Sequence, residues 1–252
     1  MNMLIPDRQF DAKKGSDFVF VNMSLVGSAR ENNIVTECLS GNIPNFLRQF
    51  APIEVTNGED KITYMAMSDY LCIGSDDDYV RMPMSPLSAQ KIADQYDCSL
   101  PTRKMVNDIW KVSKNKVDPL PWGPPYDSSM MSTNRYTKHN DKIQNQLMKA
   151  GMDFTILTSG HKKDVVLTNH LAPNNPKERV AIYGWIYTTG KPIQGLNHWS
   201  HEDFYADYSH GIRFVAKDVM VNNRPMRIED VFADTKLSAL ISDEGVLKFM
   251  KY

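Results

Sequence analysis

Cysteine is scarce and unpatterned in this chain. Cys38, Cys72 and Cys98 are the only thiols in 252 residues, an odd set without CxxC spacing, which argues against a disulfide framework or a zinc knuckle and leaves buried free thiols as the reading. Long apolar runs are missing too: nothing approaches the roughly 20 residues that a membrane-spanning helix needs. A surplus of one charge is also absent. Lys plus Arg number 29 against 30 for Asp plus Glu, so no global field draws in nucleic acid and a nucleic-acid role is disfavoured. The opening MNMLIPDRQFDAKKG has no basic segment followed by an apolar one, so no signal peptide is read; a secreted or periplasmic location requires that one was removed.

What is present describes an ordinary globular chain, 42% hydrophobic and 23% charged, with 14 prolines spread along it. We read one domain over 1–252, helix-rich over about 16–151 and strand-rich over about 152–252. Residues 18–25 make an apolar start. Ser28 and Glu31 have capping-box spacing, and Ile34, Val35, Cys38 and Leu39 share a helical face that Gly41 ends. Residues 42–50 predict another helical turn or two. The β-rich 61–74 predicts one or two strands with a break at Ser68-Asp69. Asp76, Asp77 and Asp78 lack the ligand spacing of a calcium loop and read as a solvated turn. Ser85 before Pro86 predicts a capped helix, and Thr102 caps the next, with Met105, Val106, Ile109 and Trp110 as its stripe. The proline-rich 118–133 is either a connector or a loop whose Trp122 and Tyr126 line a groove. A helix over 139–150 follows, then strands at 154–158, 164–168 and 180–187. A hairpin at 218–227 turns on Asn222-Asn223, and a helix near 235–241 takes Asp234 as cap. The predicted class is α+β: a helical N-terminal half packed on a largely antiparallel β-sheet from the C-terminal half.

Candidate chemistry concentrates in 197–213, NHWSHEDFYADYSHGIR, which holds three of the 6 histidines. His198 and His201, three apart, suit a zinc site, completed by Asp207 or His210 and by His161 from afar. The pattern HExxH begins at His201-Glu202 and fails at Tyr205. Asp207 suits the orienting of an imidazole, His210 the moving of a proton near neutral pH, Ser209 a nucleophile, and Arg213 a clamp for a carboxylate. Upstream, GHKKD places His161 at a strand start, with Lys162 and Lys163 on opposite faces and Asp164 behind them.

Ser209-His210-Gly211-Ile212-Arg213 resembles the SHGC[IV]R signature of L,D-transpeptidases, and VAIYG at 180–184 is similar to that family's strand ending in His-Gly. No cysteine follows Gly211, and Tyr183 replaces the upstream histidine, so the cysteine mechanism does not carry over. The resemblance implies a β-rich site in which His210, Gly211 and Arg213 handle wall peptides or their carboxylates. The function expected is a hydrolase of a bacterial cell-wall polymer or a related glycan or peptide. His210, Asp207, His161, Ser209 and Asp164 are its catalytic candidates. Arg213, Lys162, Tyr183, Trp185, Trp199 and His201 are its substrate binders. If the substrate is a glycan, Asp164 and Asp207 are the carboxylate pair to measure. No cofactor is required on this reading. A carbohydrate- or peptide-binding module without catalysis, and a zinc amidase or peptidase, are the alternatives. The central expectation is that His161 and His210 meet around one pocket.

Overall fold

The computed structural model describes residues 4–252. Its helices are α1 (Gly15–Asn22), α2 (Gly27–Leu39), α3 (Pro86–Gln95), α4 (Arg103–Val112), α5 (Thr133–Lys149) and α6 (Ile228–Ala233). In the main sheet the order is Arg224–Arg227, Asp218–Val221, Asp60–Ala66, Val215–Ala216 and Cys98–Ser99, with Ala51–Asn57 also paired to Asp60–Ala66. A second sheet runs Pro192–Asn197, Ile182–Ile186, Lys163–Val165, His210–Gly211. Among the described residues pairing is antiparallel except for His210–Gly211 beside Lys163–Val165, Asn115–Lys116 beside Thr158–Ser159, and an isolated bridge between Thr102 and Leu167. The architecture is α+β with most helices early in the chain, although the main sheet draws three of its strands from before residue 100. The main apolar core runs from Phe18 to Phe249, and a small second cluster joins Val117, Ile143 and Leu147. No helix among the described residues is long and apolar enough to cross a membrane.

Local chemistry explains the elements that the sequence marks well. Ser85 Oγ accepts from the Ser88 N–H at 3.2 Å and Thr102 Oγ1 from the Met105 N–H at 3.2 Å, capping α3 and α4. Asn222 and Asn223 take φ of 49° and 64°, the left-handed values a tight hairpin turn requires. The break at Ser68-Asp69 falls between Asp60–Ala66 and Cys72–Gly74. Asp78 turns back to accept from the Ser16 N–H and hydroxyl.

Other boundaries differ. The N-cap of α2 is Val26, without a side-chain cap, because Glu31 reaches across to Ser85, accepting from its N–H at 3.1 Å and its hydroxyl at 2.9 Å. α5 begins at Thr133 under a Ser132 cap, which makes His139 an interior residue rather than the first. Of 154–158 only Thr158 enters a strand, since Asp153 folds the preceding residues by accepting from Thr155 N and Oγ1. Near 235–241 there is a single 3-10 turn, Leu237–Leu240, on which Asp234 accepts from Lys236 and Leu237, while the regular helix, α6, lies just upstream. Strands Ala51–Asn57 and Pro192–Asn197 lack strict alternation and carry Pro, which hid them.

Gly211, in the second sheet, packs tightly against Tyr70 and Lys162. A Cβ there would stand 2.5 Å from Tyr70 Cδ1 and 2.7 Å from Lys162 Cβ, whereas one at Gly195 would meet open space. Gly211→Ala is expected to lower stability by about 1–3 kcal/mol through overpacking. Gly195→Ala should stay within about 0.5 kcal/mol. Denaturant midpoints of the two variants check this contrast.

Candidate functional site

The GHKKD segment is threaded into the interior at Gly160. With φ of 102° and a hypothetical Cβ 2.6 Å from Val117 O and 2.7 Å from Ile186 O, this position admits glycine only. His161 and Lys162 follow with no exposed surface, Lys163 is partly exposed, and Asp164 is buried. Lys162 runs inward to α5 while Lys163 lies over the Trp185 ring, its Nζ 4.9 Å from the centroid. Trp185 itself has φ of 55°, uncommon for a bulky residue. Two bonds hold it there: its backbone N–H donates to Lys162 O and its indole N–H to His161 O, each at 3.1 Å.

His161 Nε2 lies 3.0 Å from Asp69 Oδ1. The other oxygen, Oδ2, accepts from Arg81 Nη2 at 2.5 Å and Nε at 3.1 Å. Arg81 also donates to Asn140 Oδ1 on α5 at 3.1 Å. Burial would raise the Asp69 carboxyl, but Arg81 and His161 overcome it and hold the group well below the usual carboxylate range. Burial lowers His161 to about 4 against the attraction of Asp69, so the ring is neutral at pH 7 with Nε2 as donor, and its Nδ1 has no partner. Lys162 Nζ donates to Tyr208 O at 2.6 Å and lies 3.1 Å from His139 Nδ1. Burial, then Arg81, bring Lys162 down to about 7. His139 is pushed well below 6.5, by burial first and then by Lys162.

Asp164 occupies the opposite side of Tyr70. It accepts from Tyr70 Oη at 2.8 Å and stands 3.9 Å from Arg213 Nε; burial lifts it to about 7 in spite of Arg213. Arg213 is not at the surface. It donates to Met67 O and Thr158 O at 2.6 Å each and packs over the Tyr70 ring, so its fork joins two stretches of backbone and presents no free edge to a substrate carboxylate.

The outer group centres on Asp207. Its Oδ1 accepts from Ser209 N at 2.7 Å and Ser209 Oγ at 2.5 Å, and its Oδ2 from Tyr205 Oη at 3.2 Å. Burial opposes ionisation of Asp207, but His210, Lys163 and the Ser209 bonds bring it to about 2. His210 is fully buried and lowered to about 4 by that burial, and neither ring nitrogen has a partner among the described residues. Tyr205 and His201 stack at 4.0 Å, with the His210 ring edge-on to both. His201, Tyr205 and Lys163 are partly exposed and connect this group with solvent. Because Ser209 gives its proton to Asp207, its hydroxyl is not aligned on His210.

The expected residues therefore divide. Asp207, Ser209, His210 and His201 come together; His161, Lys162, Asp164 and Arg213 lie inside. The two imidazoles do not open into a common cleft, since each is sealed and they face different carboxylates, Asp69 and Asp207. Tyr183 Oη donates to Asn107 on α4 at 2.9 Å, and Trp199 projects elsewhere with 62% of its surface exposed. Among the described residues no group of three or more His, Cys, Asp or Glu side chains is placed to hold a metal ion; His198 stacks on His170 at 4.3 Å instead. The three cysteines are buried and their thiols pushed far up by that burial. Asp69, Arg81, His139 and Tyr205 were not anticipated as site residues. The Ser68-Asp69 break, an acid in a β-rich apolar run, was the one visible signal. No protein-family profile, curated protein or solved structure matches the chain.

Asp69→Asn is expected to cost about 3–5 kcal/mol, because Arg81 stays buried without its countercharge; chemical unfolding measures it. Acid should also destabilise the protein in a defined window. The unfolded chain protonates its histidines near 6.5 while His161 and His210 resist until about 4. Their contribution is thus complete above pH 6.5 and lost as pH falls towards 4. His210→Gln should flatten the slope of stability against pH across that interval, as followed by unfolding at stepped pH.

Proposed function

We propose that this chain is a hydrolase that acts on a bacterial cell-wall polymer, or a related glycan or peptide, by acid/base chemistry at Asp207 and His210. The observation that carries the reading is the Asp207 group itself. An ionised carboxylate lies beside a neutral, buried imidazole with two unpartnered nitrogens, and the partly exposed His201, Tyr205 and Lys163 lie between that ring and solvent, so a water reaches it when these side chains part. A neutral imidazole accepts a proton from an attacking water, and a fixed carboxylate stabilises the imidazolium that results. The same proton is then returned to the departing amine or alcohol, which balances the cleavage. Lys163 supplies positive charge near the developing oxyanion, and Trp185 and Tyr208 give apolar walls. The resemblance of residues 209–213 to the L,D-transpeptidase signature supports a wall polymer as substrate. The absence of its cysteine supports general-base attack by water over an acyl-cysteine route. If the bond is glycosidic, Asp164 is a poor partner for Asp207, because it faces Tyr70 and Arg213 inside the core.

The test is incubation with purified sacculi and mass spectrometry of the soluble fragments. Wild type should release fragments, and His210→Ala and Asp207→Asn should each slow release about 10²-fold or more. Release that His210→Ala leaves unchanged would overturn the acid/base assignment. No release from sacculi or from any glycan or peptide polymer would favour a binding module, a reading to which the exposed Trp199 lends weight.

A further inference from the structure

A second concave site lies beside the Asp207 group and has a chemistry of its own. His170, Asn175, Lys177, Arg179, His198 and Trp199 line a cavity of about 370 Å³, and no carboxylate lines it. Its walls are prebuilt. Asn175 closes the 175–179 loop by accepting from Arg179 N at 2.8 Å and donating to Arg179 O at 2.7 Å. Asn197 Oδ1 accepts from Trp199 N and Ser200 N at 3.2 Å each, which fixes the turn that presents the indole. His198 stacks on His170 and stands edge-on to Trp199 at 4.7 Å. Glu244, behind this wall, is engaged by Thr168 Oγ1 and Asn169 N. Lys177 and Arg179 enter no ion pair among the described residues, and both line the hollow while the neighbouring Glu178 and Glu202, the latter opposite Arg179 in an isolated bridge, do not.

We infer that this cavity binds an anionic saccharide unit, the sugar ring stacking on Trp199 and its carboxylate or phosphate held by Arg179 and Lys177. A flat exposed indole suits the apolar face of a sugar, and a guanidinium suits a two-oxygen anion bidentately. Its position makes it a subsite of the outer group. Val180 N donates to His201 O at 3.2 Å and Asp203 N to Glu178 O at 2.8 Å, so the strip carrying Arg179 is paired directly with the strip carrying His201. A polymer seated on Trp199 then continues towards His201, Tyr205 and Asp207. That continuation rests on the hydrolase reading; the binding does not.

Calorimetric titration with three probes separates the two. A carboxylated glucuronate-containing tetrasaccharide and glucose 6-phosphate test the two anion sources, and neutral cellotetraose is the control. Either or both anionic probes should bind more tightly than the neutral one. Arg179→Ala should weaken that binding about tenfold, the loss of one charge-assisted contact, and Trp199→Ala, at an exposed position, should weaken all sugar binding. Asp207→Asn should bind the probes as wild type does while losing fragment release. Equal affinity for cellotetraose, indifference to Arg179→Ala, or no binding of either anion would overturn the inference. Binding as expected with no release from any polymer would retain the site and remove only the hydrolase.

Discussion

The arrangement depends on a buried carboxylate, Asp69, that serves an arginine and a neutral imidazole at once. Taking an isolated ion out of water costs several kcal/mol even after relaxation, so Arg81 and Asp69 can stay inside only as a fully bonded unit. Asp69 meets that demand with each oxygen: Oδ2 takes the Arg81 fork, and Oδ1 takes His161 and the Tyr70 N–H at 2.6 Å. The remaining Arg81 donor groups turn to Asn140 and Gln144, both on α5. Four stretches of chain, the 67–71 loop, the Tyr79–Arg81 strand, α5 and the GHKKD segment, are thereby held by one charge pair. Apolar packing alone would tolerate a sliding of α5; a satisfied ionic network does not, because each displaced donor becomes a buried orphan.

Lys162 carries that constraint outward. Its ammonium fixes the carbonyl of Tyr208, the residue between Asp207 and Ser209. The same short segment is pinned twice more, by Tyr136 Oη on Ala206 O and by the Tyr208 N–H on Met130 O. Asp207 and His210 are therefore presented from a backbone whose carbonyls are held by α5 and by the lysine, and whose Tyr208 N–H is held by the 3-10 turn Ser128–Met131. Such prior fixing is what a polar reactive group needs if it is not to spend substrate binding on its own ordering. It also accounts for a lysine with its proton affinity reduced to about 7 staying inside: it holds the Asp207 segment through the Tyr208 carbonyl.

Much of this was legible only in part. Where a feature is written in neighbouring residues, the sequence sufficed: the Ser85 and Thr102 caps, the Asn222-Asn223 turn, and the gathering of Asp207, Ser209, His210 and His201 within ten positions. The inner network was illegible because its members are brought together by topology. His161 meets Asp69 across 92 positions and Lys162 meets His139 across 23, and neither separation leaves a local pattern. Arg213 misled for a related reason. An arginine after His-Gly at a strand end suggests a substrate clamp, yet tertiary contacts give its donors to Met67 and Thr158, carbonyls that sheet pairing had left unmet. Glu31 did the same to the α2 capping box, since a serine 54 positions away was the better-placed donor.

The distribution of unpaired charge then gives the molecule a direction. Inside, Arg81 is paired with Asp69, Arg213 lies near an Asp164 that burial tends to neutralise, and Arg30 and Lys162 are held by neutral acceptors. On the face around His201 the pairing is incomplete, with Lys163 shared between Asp207 and the Trp185 ring, and Arg179 and Lys177 turned to a cavity without acids. The chain as a whole is close to neutral, so this is local placement rather than a consequence of composition. A near-neutral protein with a cationic hollow next to a carboxylate–imidazole group attracts anions at short range, within about 10 Å at moderate salt, and leaves distant polyanions unaffected. On the proposed hydrolase reading, that range matches a ligand whose charge and scissile bond lie a sugar or two apart, which would make the hollow and the Asp207 group one surface rather than two.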